Sequence, residues 1–375
     1  MSCLRVCIVG GIFDKPDDYR RLHQYTPETI LAQGLAERGV DVAVSGHRGF
    51  VPLDHYDIVH VHHLGKAALA MASASTRSMF IYTGHDGRLI NGYTASRKRK
   101  LATGFITARA DAIVALSDFE SSLMQAAALS YARKWVTIPN GIPTDIFYAP
   151  QSSDNPQPGW PPRLLFVGQL IPLKGLHVLL EAVKLLTLRT DVELRLVYHN
   201  DQHEPRYRDM ATCLGITDKV HFLGIKSPGE LAEIYRSADL LVLPSFAEAL
   251  PSVITEAMMC GLPIVATQVG GIPDQVGPHG YLVRPGDAAG LAAAIGRALG
   301  DIARRGAPRA EISRYATERF SIAAMVQSHL ELYRSLLENG QAPARLRMRN
   351  RLVNKGVSLL LGTFGSGLSG RGLLE

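Results

Sequence analysis

The sequence has few cysteines and lacks a long apolar run. Its 375 residues contain four cysteines (Cys3, Cys7, Cys213 and Cys260), and none belongs to a Cys-x-x-Cys pair. This pattern argues against a disulfide framework and indicates a reducing compartment. No stretch of about 18 apolar residues occurs, so no transmembrane helix is predicted. Gly10-Gly11 interrupts the first apolar segment, which is too short for a signal peptide, and a cytoplasmic protein is expected.

Net positive charge is scarce outside the last segment of the chain. The formal net charge is +6, but residues 340–375 hold six basic residues and one glutamate, which leaves the remainder nearly neutral. A nearly neutral body argues against a nucleic-acid partner. The segment 340–375 is predicted to be a basic amphipathic or disordered tail. Binding of this tail to an anionic membrane, at the inner face of the cell membrane, is an alternative that the sequence leaves open.

The most informative segment is a predicted strand–loop–helix–strand unit. Leu240–Leu243 is a short apolar run, typical of a buried parallel strand. Pro251 suits the first position of the helix that follows, and Gly261 suits its end. Pro263–Thr267 reads as the next strand. Ligands of such sheets bind beyond the carboxyl ends of the strands, which is where the loop carrying Glu248 lies.

Two carboxylates in this unit suit a ligand rich in hydroxyl groups. Glu248 lies in the loop and Glu256 about one turn inside the helix, and carboxylates accept hydrogen bonds from sugar hydroxyls. The helix start, at Leu250, Pro251 and Ser252, offers a phosphate the free N–H groups of its first turn, which begin at Ser252 because proline has none. A nucleotide-sugar combines both features. The spacing alone is more typical of two glutamates on a solvated surface.

The full sequence of this segment resembles that of a known family. PSFAEALPSVITEAMMCGLPIVATQVGGIPDQV closely resembles the donor-binding segment of family 4 glycosyltransferases, whose Glu-x7-Glu hallmark is matched by Glu248 and Glu256. The resemblance extends from Val6 to about Leu337. It implies the α/β GT-B fold, in which two doubly wound Rossmann-like domains face a central cleft. It also implies a retaining mechanism without a metal ion or other cofactor.

The resemblance implies roles for further residues. His85, after a predicted strand, corresponds to a histidine between donor sugar and acceptor, so His85 and Glu248 are the predicted catalytic residues. Donor-binding residues are predicted at Gly10, Gly11, Gln169, Lys174, Leu250, Pro251, Ser252 and Glu256. Relatives commonly place an arginine where this chain has Gln169. A glutamine donates weaker, uncharged hydrogen bonds, which puts its phosphate-binding role in doubt.

Two other groups of polar residues have alternative interpretations. His60 and His62 lie on one face of a predicted strand at 57–63 and are expected to face the cleft near the acceptor. Without further ligands at suitable spacing, a metal site there is not predicted. Arg97-Lys98-Arg99-Lys100 begins a predicted helix. It is either a solvated face or a contact for anionic lipid headgroups or a lipid-linked phosphate.

Composition predicts the linker, and the family resemblance implies the domains on either side of it. Residues 1–148 form an acceptor-side domain, completed by a crossing helix at 320–338, and the Pro- and Ser-rich segment 149–162 is a linker. Residues 163–319 form the donor domain. The predicted activity is transfer of a hexosyl or N-acetylhexosaminyl group from a nucleotide diphosphate sugar, with UDP favoured, to a glycan or lipid-linked acceptor. A GT-B nucleotide-sugar epimerase and a non-catalytic GT-B scaffold are the alternatives.

Overall fold

The chain folds into two compact units, each built on its own parallel sheet. A computed structural model describes residues 3–22, 25–47, 53–74, 76–84, 97–128, 135–150, 160–199 and 201–338. Unit 1 comprises the described residues up to Gly141 together with those from Met325 onward, and unit 2 comprises Ile142–Ala324. Most of the predicted linker, at 151–159, and all of the predicted tail, at 340–375, lie outside the described residues.

Strands and helices alternate along the chain. The strands are β1 Arg5–Val9, β2 Asp41–Ser45, β3 Ile58–His62, β4 Met79–Thr83, β5 Ala112–Ala115, β6 Trp135–Thr137, β7 Arg163–Val167, β8 Glu193–Val197, β9 Val220–Gly224, β10 Leu240–Leu243, β11 Ile264–Thr267 and β12 Gly280–Val283. The helices are α1 Asp17–Leu22, α2 Pro27–Ala36, α3 Lys66–Ser73, α4 Arg97–Arg109, α5 Asp118–Ala128, α6 Leu176–Leu186, α7 Glu204–Cys213, α8 Pro228–Ser237, α9 Ser252–Met259, α10 Ile272–Val276, α11 Ala288–Arg305, α12 Arg309–Phe320 and α13 Ile322–Glu338.

Each sheet has a point where the strand order reverses. Within the described ranges, the unit 1 sheet runs β2-β1-β3-β4-β5-β6 and the unit 2 sheet runs β12-β11-β10-β7-β8-β9, with all pairs parallel. In unit 2 the chain builds outward from β7 in one direction and from β10 in the other. Ligands of doubly wound sheets bind at such a switch point. The prediction of doubly wound α/β folding is confirmed in both halves.

The core explains why the strands read as continuous apolar runs. Every residue of β3, β4, β10 and β11 is buried, because helices cover both faces of a parallel sheet. The helix after β10 begins one residue later than predicted: Pro251 precedes it, and α9 spans Ser252–Met259. Across the helices that the structure describes, none is both long and apolar enough to cross a membrane.

The prediction that His60 and His62 face a cleft is wrong. Both side chains are buried in the unit 1 core. One ring nitrogen of His60 lies 2.8 Å from the hydroxyl of Tyr333 on α13, and the other lies 2.6 Å from Thr83 Oγ1. His60 therefore ties α13 to the sheet through a buried hydrogen-bonded network.

Candidate functional site

The loops after β7 and β10 meet at the switch point of the unit 2 sheet. The loop after β7 carries Lys174, whose Nζ lies 2.7 Å from Oε1 of Glu248 on the loop after β10. Ser245 Oγ donates to the same oxygen over 2.7 Å. The Glu248 side chain is only 9% exposed and that of Lys174 is 22% exposed. This ion pair brings together two of the predicted site residues, 74 positions apart in sequence.

Glu248 has one oxygen engaged and one available. Both Lys174 and Ser245 bind Oε1, and Oε2 accepts no hydrogen bond from the residues that the structure describes. Ser245 is itself fully buried, and its carbonyl oxygen accepts a 2.5 Å hydrogen bond from Thr267 Oγ1 at the end of β11. The Glu248 carboxylate is therefore fixed through Oε1, and Oε2 can accept a hydrogen bond from a hydroxyl donor.

Two glycines let the backbones around Glu248 approach closely. Gly175 has φ +70, and a Cβ there would lie 2.0 Å from the Pro244 carbonyl oxygen. Gly270 has φ +55, and its Cβ would lie 1.7 Å from the Glu248 carbonyl oxygen. Glycine is the residue that tolerates such φ values and such contacts. We call the segments 168–175, 244–250 and 270–271 the interlocked loops.

Backbone hydrogen bonds join the interlocked loops. The Phe246 amide donates to the Leu173 carbonyl over 2.8 Å, and the Gly271 amide donates to the Ala249 carbonyl over 2.9 Å. The imidazole of His177, in the first turn of α6, stacks on the ring of Phe246 with 5.6 Å between ring centroids. The loop bearing Glu248 is therefore hydrogen-bonded to the loop after β7 on one side and to the loop after β11 on the other.

Glu256 lies half-buried on α9, within hydrogen-bonding reach of α8. The hydroxyl of Tyr235, on α8, donates to Glu256 Oε2 over 3.0 Å. Burial raises the pKa of the Glu256 carboxyl above its ordinary value, while hydrogen bonds from Tyr235 and Ser252 oppose that rise. Ser252 is exposed at the first turn of α9, whose amides lie beside the Glu248 loop.

The remaining donor-binding predictions fall in different surroundings. Gln169 is exposed directly after β7, and Leu250 is half-buried, whereas Pro251 is buried. The Pro251 carbonyl accepts a 2.9 Å hydrogen bond from Gln275 on α10, which also donates to Thr255 over 2.7 Å. His85 lies outside the described residues, so its catalytic role stays a prediction.

Gly10 and Gly11 follow β1 and face a cluster of polar side chains in unit 1. A Cβ on Gly10 would lie 2.7 Å from Glu28 Cγ, and one on Gly11 would lie 3.2 Å from His47 Cδ2. The buried Glu28 carboxylate lies 2.9 Å from Nε2 of His63, whose φ is +66. Burial, and then the neighbouring His63, lower the pKa of His47. Side chains thus fill the space above both glycines, and their donor-binding role stays a prediction.

The sequence interpretation missed three residues of the unit 2 site. Ser245 could have been identified from the sequence, because it is the first residue with a hydroxyl side chain after a buried strand. Tyr235 could not, since an aromatic residue on a helix is typical of a core position. Gln275 lies near the end of the segment that resembles the donor-binding segment of the family, but the resemblance implied no role for it. Over the described parts of the chain, no three His, Cys, Asp or Glu side chains are grouped so that they could hold a metal ion.

Comparison with known proteins identifies the family of the chain. The family model "Glycosyl transferases group 1" matches residues 161–301, and the model "Glycosyltransferase Family 4" matches residues 47–146. A D-inositol 3-phosphate glycosyltransferase 1 of Catenulispora acidiphila is 31% identical over 310 residues, which cover 76% of this chain and 74% of the relative. The chain belongs to glycosyltransferase family 4. The first model matches residues within unit 2, and the second matches residues that lie mostly in unit 1.

Two further matches illustrate similarity over a shorter region and similarity of fold alone. A D-inositol 3-phosphate glycosyltransferase of Stackebrandtia nassauensis is 30% identical over 277 residues, which cover 68% of this chain but 62% of that protein. Among solved structures, that of Anabaena HepE in complex with UDP has a TM-score of 0.70 at 21% identity and covers 88% of this chain and 100% of its own. At that identity the similarity is one of fold, and it is the GT-B fold predicted from the sequence.

Proposed function

We propose that this family 4 protein transfers a hexosyl or N-acetylhexosaminyl group from a UDP-sugar to a glycan or lipid-linked acceptor, with retention of the anomeric configuration. The observation that carries the proposal is the Lys174–Glu248 pair at the unit 2 switch point. The pair joins a cation suited to phosphate with a carboxylate suited to sugar hydroxyls. HepE, whose structures are described with UDP and with UDP-glucose, supports UDP as the nucleotide.

Each group at the site has a task in this reaction. Negative charge grows on the diphosphate as the bond to the sugar loosens, and Lys174 can stabilise it by direct contact. The first amides of α9, at Ser252, add the positive end of the helix dipole. Glu248 holds a sugar hydroxyl through Oε2 and places a negative charge near the anomeric carbon as it becomes positive.

Donor binding need remove little further water from the Lys174 side chain. Its charge is paired with Glu248 over 2.7 Å, and its side chain is largely shielded from water. A diphosphate beside Nζ would add a second anionic partner in a region of low dielectric. We propose that this cation and the helix N-terminus replace a metal ion, so that catalysis is independent of divalent cations.

Nucleotide binding provides the first test. Thermal unfolding would be measured with UDP, GDP and ADP in the presence of EDTA. At about one hundred times its dissociation constant, a ligand stabilises by about 2.7 kcal/mol, which is a rise of roughly 5–10 °C in Tm for a unit of this size. We expect this rise with UDP alone. We propose that Glu256 accepts the ribose hydroxyls of the donor, so Glu256→Ala should abolish the rise, whereas Glu311→Ala, on the exposed surface of α12, should keep it.

Two results would contradict the proposal. If no nucleotide raises the midpoint, the unit 2 site does not bind a donor, and a non-catalytic scaffold accounts better for the protein. If the rise requires a divalent cation and disappears with EDTA, the metal-independent mechanism is wrong.

We further propose that unit 1 contacts anionic headgroups through the start of α4. Four cations, Arg97 to Lys100, occupy its first turn, where the helix dipole disfavours positive charge. The next residue, Leu101, is 65% exposed. A basic cluster beside an exposed apolar side chain is typical of a membrane-surface contact.

Sedimentation with lipid vesicles checks this contact. The double change Lys98→Glu/Lys100→Glu should release the protein from anionic vesicles at low salt, where charge interactions are least screened. The control Arg304→Glu/Arg305→Glu reverses two exposed cations of α11 and should leave binding unchanged. Equal loss in both variants would reject a specific role for α4. A chain that ends at Glu338 separates the contribution of residues 339–375.

A further inference from the structure

Tyr235 places a hydroxyl group in the interior of unit 2. It lies on α8 with no exposed surface, and its ring packs edge-on against Phe147, with 6.1 Å between centroids. Its hydroxyl donates to Glu256 Oε2 over 3.0 Å. A buried hydroxyl requires a hydrogen-bond partner, and here the partner is a residue already assigned to the donor site.

The contact fixes the carboxylate of Glu256 from one side. A glutamate side chain has three rotatable bonds and loses considerable conformational freedom when it binds a ligand. The rigid Tyr235 ring, which packing holds in place, removes part of that freedom before any ligand arrives. Ser252, at the exposed start of α9, opposes the rise that burial causes in the pKa of this carboxyl. The buried Tyr235 hydroxyl is the donor that holds Glu256 Oε2.

We propose that Tyr235 is a positioning residue for nucleotide recognition: it orients the Glu256 carboxylate so that the vicinal 2′- and 3′-hydroxyls of the donor ribose bind it. The inference rests on the proposed function, because it assumes that the site binds a nucleoside diphosphate. Tyr235 lies behind Glu256 and does not touch the ligand. Its effect reaches the ligand only through the carboxylate.

This role predicts a loss that depends on the ribose hydroxyls. Tyr235→Phe keeps the ring and removes one hydrogen bond to a carboxylate, so the Kd for UDP should rise about tenfold. The Kd for 2′,3′-dideoxy-UDP should stay within twofold of the wild-type value, since that ligand offers no hydroxyl to Glu256. In turnover, KM for the donor should rise while kcat changes little, because ribose contacts are the same in the ground and transition states.

Calorimetric titration of both nucleotides into wild type and Tyr235→Phe is the experiment. Tyr333→Phe is the matched control, because Tyr333 is equally buried and hydrogen-bonded, but in unit 1. The control should bind both nucleotides as the wild type does. In a Glu256→Gln background, Tyr235→Phe should cause a smaller further loss than in the wild type, since the two residues act through one contact.

The outcomes separate this inference from the proposed function. If wild type binds no UDP, the proposed function fails, and the positioning role fails with it. If wild type binds UDP but Tyr235→Phe binds it equally well, the positioning role alone is overturned. Equal weakening of UDP and the dideoxy analogue, or failure of Tyr235→Phe to fold, would also overturn it, because either result makes the hydroxyl a structural support.

Discussion

Replacing Glu248 by glutamine is expected to lower kcat about 10³-fold, with a much smaller change in KM for the donor. Glutamine has the same shape: its amide oxygen can accept from Lys174 and Ser245 in place of Oε1, and its NH2 group, in place of Oε2, can donate to a sugar hydroxyl oxygen. It lacks the negative charge that faces the anomeric carbon as positive charge develops there. Loss of one group aimed at developing charge in a site of low dielectric typically costs about 3–4 kcal/mol in the transition state.

The rate of UDP release from UDP-glucose, or from whichever UDP-sugar proves to be the donor, would measure this loss. Glu311→Gln makes the same chemical change on an exposed surface and should keep its rate within twofold. A Glu248→Gln enzyme that retains more than a third of the wild-type kcat would contradict the proposed role of the carboxylate.

Replacing Gly270 by alanine is expected to lower the free energy of unfolding of unit 2 by about 3 kcal/mol. The new Cβ would lie 1.7 Å from the Glu248 carbonyl oxygen, at a φ of +55 that alanine rarely adopts. The neighbouring atom belongs to a backbone that is hydrogen-bonded on both sides, so it has little freedom to move. Relief of the clash should displace Glu248 and reduce activity as well.

Urea denaturation of the two alanine variants Gly270→Ala and Gly296→Ala provides the comparison. Gly296 lies inside α11 with nothing within 4 Å of the position that a Cβ would take. Alanine there should stabilise by about 0.5–1 kcal/mol, because glycine is a poor helix former. Opposite signs for the same chemical change would confirm that the positive φ of Gly270 and its contact with Glu248, and not the loss of a glycine as such, determine the result.

The unit 2 segment from Leu240 to Thr267 was predictable because its signals are local. A buried parallel strand must be apolar throughout, so β10 and β11 are readable from composition alone. The proline before α9 and the glycine after it mark its ends within two residues. The Glu-x7-Glu spacing then places Glu248 in the loop and Glu256 on the helix.

Contacts between distant segments were not predictable from the same patterns. Alternation along β3 puts His60 and His62 on one side of the sheet, but it does not tell whether that side meets water or another helix. In the structure the partner is α13, more than 260 positions later in the chain. Tyr235 was missed for a similar reason, since its helical position indicates burial and gives no information about which carboxylate its hydroxyl reaches.

The interlocked loops have a consequence for how much the ligand must order the protein. Loop amides usually exchange their hydrogens with solvent quickly, but those of Phe246 and Gly271 are bonded to neighbouring loops at the end of a buried sheet. We expect both amides to exchange about as slowly as strand β10, with or without nucleotide. The arrangement around Glu248 then exists before the donor arrives, and little of the binding free energy is spent on arranging it.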